Sequence, residues 1–238
     1  MAEFVDQWEG RRSAQTYKAS LSKFFDWCCR KGILEHNPAK EVSVEAPPKR
    51  DVYITHEQFN AVRSALLVGL DGKPTRTGVM VKCYVELLYM LFQRGTDVRL
   101  LRWDQVTSDG IVFKPTKTEK KAGTKVRWPL TTQLEAVLAT AKRAATMGSM
   151  YVISNEQGQP YTTHGIATLF IRACKRAGIK GITLKDIRSM ASTDAIQNGY
   201  SREQLKLALA HTDMSTTNGY IRNQVAPVSE IVLSLPCM

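Results

Sequence analysis

The chain has 238 residues, 43% of them hydrophobic, which is enough to bury a core in one large domain or in one domain with an appendage and too much for wholesale disorder. A net charge of +11 and a pI of about 9.5 favour a polyanionic partner, because each Lys or Arg set against a phosphate releases a condensed counterion, although a merely solubilising basic surface would have the same composition. Five cysteines without a CxxC pair point to reduced thiols, four histidines without ligand-spaced neighbours give no support to a metal site, and the lack of a secretory signal or a long apolar run suggests a soluble intracellular protein.

SAQTYKASLSKFFDWCCRKG (13–32) places Tyr17, Leu21, Phe24, Phe25 and Cys28 near a 3.6-residue spacing, which predicts an amphipathic helix that stops at Gly32. EAPPKRDVY (45–53) reads as a linker, since proline cannot continue a helix and stiffens an extended chain. Charge is uneven across it. Residues 1–50 carry 9 basic and 7 acidic groups, net +2, and residues 51–238 carry 24 and 15, net +9, so the polyanion site is expected in the second part. There THEQ (55–58) spells a capping box that opens a helix to about Val68, and LDGKPTRTG (70–78) is a loop. VMVKCYVELLYMLFQ (79–93) is apolar on most sides, which predicts a buried helix, followed by a short helix around 96–102. IVFK (111–114) and TKVRWPL (124–130) form a β-hairpin with Val126 and Trp128 on one face. Helices follow at about 132–146, 163–177, 184–198 and 202–210, with Gly178 and Gly199 as stops and MYVI (150–153) as a candidate extra strand. The fold class is mainly α with a small antiparallel β-sheet (α+β).

Several groups could carry chemistry. Arg94 directly follows the buried helix, and Asp97 lies three residues on. An arginine at the edge of an apolar element is costly unless it meets an anion or pairs, here with Asp97. The hairpin turn 114–127 holds six basic residues against one acid, Glu119. Such a run is either a solvated loop or a cationic grip, and a lysine on it can donate a proton. Lys185 and Arg188 sit at i, i+3 near a helix start. Cations there oppose the macrodipole unless an anion binds. His211 and Tyr220 flank a polar turn. Each is bland alone, as a helix-end histidine or a half-buried tyrosine. Together, two arginines, two lysines, a histidine and a tyrosine suit phosphoryl transfer through a tyrosine nucleophile.

In their order and spacing these residues resemble the tyrosine recombinase (phage integrase) family, over about residues 13–222. The family's first motif, an arginine with an acidic residue three later and then Leu-Arg-Trp, matches Arg94, Asp97 and residues 101–103. Its hairpin lysine matches Lys117, and its HxxR box falls on KDIR, giving Lys185 and Arg188. Its Leu-Gly-His motif falls on Leu209, Ala210 and His211, with the nucleophile nine residues later at Tyr220. Three departures stand out: Lys185 replaces the histidine, Ala210 replaces the glycine, and Leu-Phe-Gln stands where the family has Thr-Gly-x. YKASLSKFFDWCCRKGILEHNPAKEV (17–42) looks like the last part of the family's core-binding domain. The resemblance therefore implies a partial core-binding segment at 1–44, a linker at 45–53, and a catalytic domain at 54–238 with a tail helix at about 227–236.

What the resemblance implies is a site-specific recombinase or integrase that joins DNA to Tyr220 as a 3′-phosphotyrosyl intermediate. Arg94, Arg188 and His211 would hold the phosphate, Lys117 would protonate the leaving 5′ oxygen, and Lys185 would assist the phosphate or accept the tyrosine proton. Lys114, Lys120, Lys121, Lys125 and Arg127 would contact the DNA backbone. No cofactor or metal is called for. The partner is double-stranded DNA, and the protein would be cytoplasmic, prokaryotic or phage-encoded, and act on the nucleoid. The tail has an apolar stripe of Val228, Ile231, Val232 and Leu235. It packs on its own core or, in the family's manner, docks on a neighbour in a tetramer on DNA. Two other readings remain: a type IB topoisomerase, and a DNA-binding relative without catalysis, for which residues 201–222 could serve as a helix-turn-helix.

Overall fold

The computed structural model describes residues 2–8, 10–45, 51–113 and 126–209. The chain divides into two compact units, Met1–Arg50 and Asp51–Met238. In the first, α1 (Ala2–Asp6) precedes the expected helix α2 (Arg12–Arg30). Gly32, with φ 72°, lets Ile33 N donate back to Cys28 O at 3.0 Å and ends α2 as expected. The apolar stripe is only partly buried. Ala14 and Cys28 are covered, but Phe24 is exposed and stacks on exposed Trp27. The following loop is tied to another face, where Asn37 Nδ2 donates to Ser22 O at 3.0 Å and to Asp26 Oδ1 at 2.8 Å. Phe24 lies about half a turn of the helix away from that contact.

The second unit is built on α4 (Gly78–Leu91), ten of whose 14 residues are buried, as its apolar sequence requires. Packed on it are α3 (His56–Leu67), α6 (Thr132–Ala144), α7 (Thr163–Arg176) and α8 (Leu184–Gln197). The capping box expected at the start of α3 is present: Gln58 N donates to Thr55 Oγ1 at 3.2 Å and Thr55 N to Gln58 Oε1 at 3.1 Å. Arg176 of α7 donates Nε and Nη2 to Ala65 O, tying α7 to the last turn of α3. Buried Asp194 of α8 accepts from Tyr53 Oη at 2.7 Å and Tyr89 Oη at 2.8 Å and lies 2.9 Å from His56 Nε2, so α8 is tied to both α3 and α4. Gly178 and Gly199, with φ of 71° and 86°, end α7 and α8 as expected. The short helix α9 (Arg202–Ala208) follows.

The helix expected near 96–102 is shorter. Helix α5 spans Gly95–Arg99, and the chain then makes a 3-10 turn at Trp103–Gln105 and enters β1 (Val106–Thr107). This third strand joins the expected hairpin of β2 (Gly110–Phe113) and β3 (Val126–Trp128) in an antiparallel sheet of order β1-β2-β3. Ile111 pairs with Trp128 and Phe113 with Val126, which leaves Val126 and Trp128 on one face. Gly110 is required, since a Cβ there would lie 2.2 Å from Trp128 O. Residues 150–153 do not form a strand. Tyr151 makes one bridge to Arg102, and the ladder ends because the opposite chain turns into the 3-10 helix at Trp103. Their apolar character is used in the core, where Val152 and Ile153 are fully buried. The fold is therefore mainly α with a small antiparallel sheet. No helix among the described residues is long and apolar enough to cross a membrane.

Burial in this core raises the pKa of Cys83 and of Cys174 from 9.0 to about 11, and it also raises those of Tyr84, Tyr53 and Tyr89. The unfolded chain releases these protons before the folded one does. The associated stability is therefore complete below pH 9 and is lost as pH climbs through about 11, with the tyrosines steepening the loss above pH 10. Urea midpoints measured across this range should stay level to about pH 9 and then fall. A midpoint that is flat to pH 11 would contradict the burial of these groups.

Candidate active site

After Leu91 the chain leaves α4 through Phe92, whose φ of 54° and ψ of 6° reverse its direction. Gln93 comes next, fully buried, and its Nε2 donates to Leu91 O at 3.1 Å and to Ala208 O at 2.8 Å. One side chain thus closes the end of α4 and holds the end of α9 beside it. Arg94 is the N-cap residue of α5, with an extended backbone, and Val98 N donates to its carbonyl at 3.1 Å. Tyr84 Oη donates to Gly95 O at 3.0 Å, and a Cβ on Gly95 would lie 2.8 Å from that hydroxyl, so a glycine after Arg94 lets the turn seat on α4. The Arg94 Nη1 lies 4.0 Å from Asp97 Oδ2. The structural pairing considered from sequence is thus present, but loose, and a quarter of the Arg94 side chain remains open to solvent.

Lys185 lies in the first turn of α8 and Arg188 in the second. Asp186 Oδ2 accepts from Thr183 N and Thr183 Oγ1, both at 2.8 Å, which anchors the start of the helix. Arg188 is 4% exposed and donates Nη2 to Leu209 O at 3.1 Å. His211 lies two residues beyond that carbonyl.

Arg94 comes from one stretch and Lys185 and Arg188 from another, and all three line one cavity of about 390 Å³. A fourth cation, Arg99, lines it too and donates Nη1 to Tyr161 O at 2.6 Å. The first residues of α5, α7 and α8 also face the cavity, and among the described residues no Asp or Glu does. Helix N-termini and four cationic side chains therefore add their positive potentials in one place. Leu88, Ile166 and Leu184 supply apolar walls, which strengthen any charge interaction inside. Such an arrangement has the chemistry to accept an anion and to stabilise negative charge built up on it.

Of the other residues named from sequence, Arg127 is exposed on β3 and is not part of this cavity lining. Lys114, Lys117, Lys120, Lys121, Lys125, His211, Tyr220 and the tail helix at 227–236 lie outside the described residues. Sequence reasoning missed Arg99 and the bridging role of Gln93. Arg99 stands between Asp97 and the Leu-Arg-Trp of residues 101–103, but its place depends on the carbonyl of Tyr161, 62 residues away, and no local pattern signals that contact.

Residues 53–226 match the phage integrase family. The tyrosine recombinase XerD of Listeria innocua is 27% identical over 214 residues, which is 88% of this chain and 71% of the relative. The tyrosine recombinase XerC of Lactobacillus delbrueckii subsp. bulgaricus is 24% identical over 211 residues, covering 85% of this chain and 69% of the relative. Among solved structures, a lambda integrase dimer bound to a COC′ core site shares the fold, with a TM-score of 0.75 at 17% identity. That match covers 93% of this chain, which spans 62% of the integrase chain. A lambda integrase tetramer bound to a Holliday junction matches with the same TM-score of 0.75. The chain belongs to the phage integrase family, the tyrosine-type site-specific recombinases.

Proposed function

We propose that this chain cuts and rejoins strands of double-stranded DNA by transesterification at Tyr220. The phenolic oxygen attacks the scissile phosphorus. A bond forms between Tyr220 Oη and phosphorus, the bond from phosphorus to the 5′ oxygen breaks, the tyrosine proton leaves, and the freed 5′ oxygen gains a proton. The 3′-phosphotyrosyl link conserves the ester bond, so the reverse attack by a 5′ hydroxyl of another strand completes an exchange. No nucleotide cofactor or metal enters these steps. The observation that carries this reading is the cavity shared by Arg94, Lys185 and Arg188, in which no Asp or Glu stands among the described lining residues; Arg188 in turn donates to Leu209 O, two residues before His211.

In this mechanism Arg94, Arg188 and His211 hold the non-bridging oxygens, and their donors are directed where charge grows in the transition state. Lys117, on the segment that joins β2 to β3, protonates the 5′ oxygen. Lys185 stands where its relatives' motif has histidine and grips the phosphate as a point charge or takes the tyrosine proton. Lys114, Lys120, Lys121, Lys125 and Arg127 hold flanking phosphates. The solved lambda integrase dimer and tetramer on DNA support a duplex partner and assembly on it. We assign that assembly to the apolar stripe of the tail at 227–236. The bacterial origin of the XerD and XerC relatives supports a prokaryotic or phage-encoded protein that acts on the nucleoid in the cytoplasm.

A nicked suicide duplex tests the nucleophile. The parent protein should form a denaturant-resistant adduct, in EDTA as well as without it, and Tyr220→Phe should form none. An adduct with Tyr220→Phe, or one that vanishes with EDTA, contradicts this chemistry. Arg94→Ala and Arg188→Ala should each slow single-turnover cleavage by about 100–1000-fold, the usual cost of one transition-state donor. Lys185→His should stay within about tenfold of the parent, the span of about 1.4 kcal/mol in a barrier, whereas Lys185→Ala should fall further. Cleavage by either arginine variant at the parental rate would remove that residue from the site. Removing residues 226–238 should abolish higher-order complexes on DNA while single-site cleavage continues, and intact tetramers would show the tail to be dispensable.

A further inference from the structure

Phe92 holds the left-handed backbone conformation, φ 54°, and is the sole non-glycine among the described residues with positive φ. In that conformation Cβ crowds the residue's own carbonyl, which a glycine would avoid. A bulky side chain kept at such a position suggests that its ring is used. The ring lies parallel to the indole of Trp128 on β3, with centroids 5.4 Å apart and planes 9° apart. It also packs against the small cluster of Ala195, Leu205 and Leu209, where α8 meets α9. Among the described residues the Trp128 indole N–H has no hydrogen-bond partner, and the Phe92 ring is its aromatic contact.

These contacts span a short path through the proposed site. The basic segment 114–125 is rooted on the Phe113–Val126 pair. Trp128 is two residues from that root, about 7 Å along the strand. Phe92 is two residues from Arg94. The cluster it packs against includes Leu209, the residue whose carbonyl holds Arg188. We propose that the Phe92–Trp128 stack is a positioning contact that sets the root of the basic hairpin relative to Arg94 and Arg188, and thereby delivers the hairpin's proton donor to the leaving 5′ oxygen. The inference rests on the proposed strand-cleavage reading. Neither ring is among the residues that line the cavity of Arg94 and Arg188.

A leaving-group comparison isolates this role from mere support of the fold. Two suicide duplexes are used, one with the normal 5′ bridging oxygen at the scissile position and one with a 5′ bridging sulfur, which departs as a thiolate without protonation. On the oxygen duplex Trp128→Ala should lose about 10–100-fold in cleavage rate, less than the ~100–10,000-fold that general acid catalysis can supply. On the sulfur duplex it should return to within about threefold of the parent, a window set well inside the loss expected on oxygen. Phe92→Gly should show the same oxygen-specific loss although it relieves the strained backbone. Trp128→Phe, which keeps a ring to stack, should remain near the parent on both duplexes. Trp128→Ala that is equally slow on both duplexes, or unimpaired on oxygen, overturns the proposal. Lys117→Ala, run alongside, separates the two layers. If sulfur rescues Trp128→Ala and not Lys117→Ala, the stack keeps its role and the acid is another group of the hairpin. If sulfur rescues Lys117→Ala and not Trp128→Ala, the stack alone loses its role.

Discussion

Arg188 carries a full charge at a point where 4% of its surface meets solvent, and the hydrogen bond from its Nη2 to Leu209 O answers part of the cost of placing it there. That one bond has two structural effects. It draws the end of α9 against the second turn of α8, and it keeps a guanidinium in the wall of a cavity that holds three more cations. In the proposed mechanism the same guanidinium meets the scissile phosphate. Binding and positioning are therefore the same interaction seen from two sides, which is how a site can be strongly positive in the free protein and still fold.

The scaffold behind that bond is rigid for ordinary reasons. Helix α4 is buried on nearly every side, so its end is a fixed point for the residues that leave it. Phe92, Gln93, Arg94 and Gly95 do so in four successive and different engagements: a ring stack, a buried amide bridge to Ala208 O, a cation at the cavity, and a carbonyl held by Tyr84. Asp194, further along α8, ties that helix to Tyr53, His56 and Tyr89. The two arginines thus stand on elements braced from both ends, which suits a site whose donors must be in place before charge develops.

What could be read from sequence was what local chemistry decides. THEQ states its own capping box, and a continuously apolar 79–93 can hardly be anything but a buried helix. The glycines at 178 and 199 do end their helices in the left-handed conformation. Where the outcome depended on a partner, local patterns fell short. Phe24 fits the stripe of α2 but is not covered within its own unit. MYVI has strand character, yet the chain opposite it turns away at Trp103. Arg94, Lys185 and Arg188 could be singled out because motif order relates distant positions, and they do line one cavity. Arg99 and Gln93 could not, because their contacts with Tyr161 O and Ala208 O exist only once the helices have packed.

The central claim is that Arg94 and Arg188 act by neutralising charge on the scissile phosphate, and a substrate without that charge tests it most directly. A duplex with a neutral methylphosphonate at the cleavage position removes one non-bridging charge without altering the sequence. Arg188→Ala should be nearly inert on the natural duplex and recover most of the parental cleavage rate on the methylphosphonate. An Arg188→Ala protein equally inert on both, beside a parent protein that cleaves both, would mean that the guanidinium serves the fold and not the phosphate.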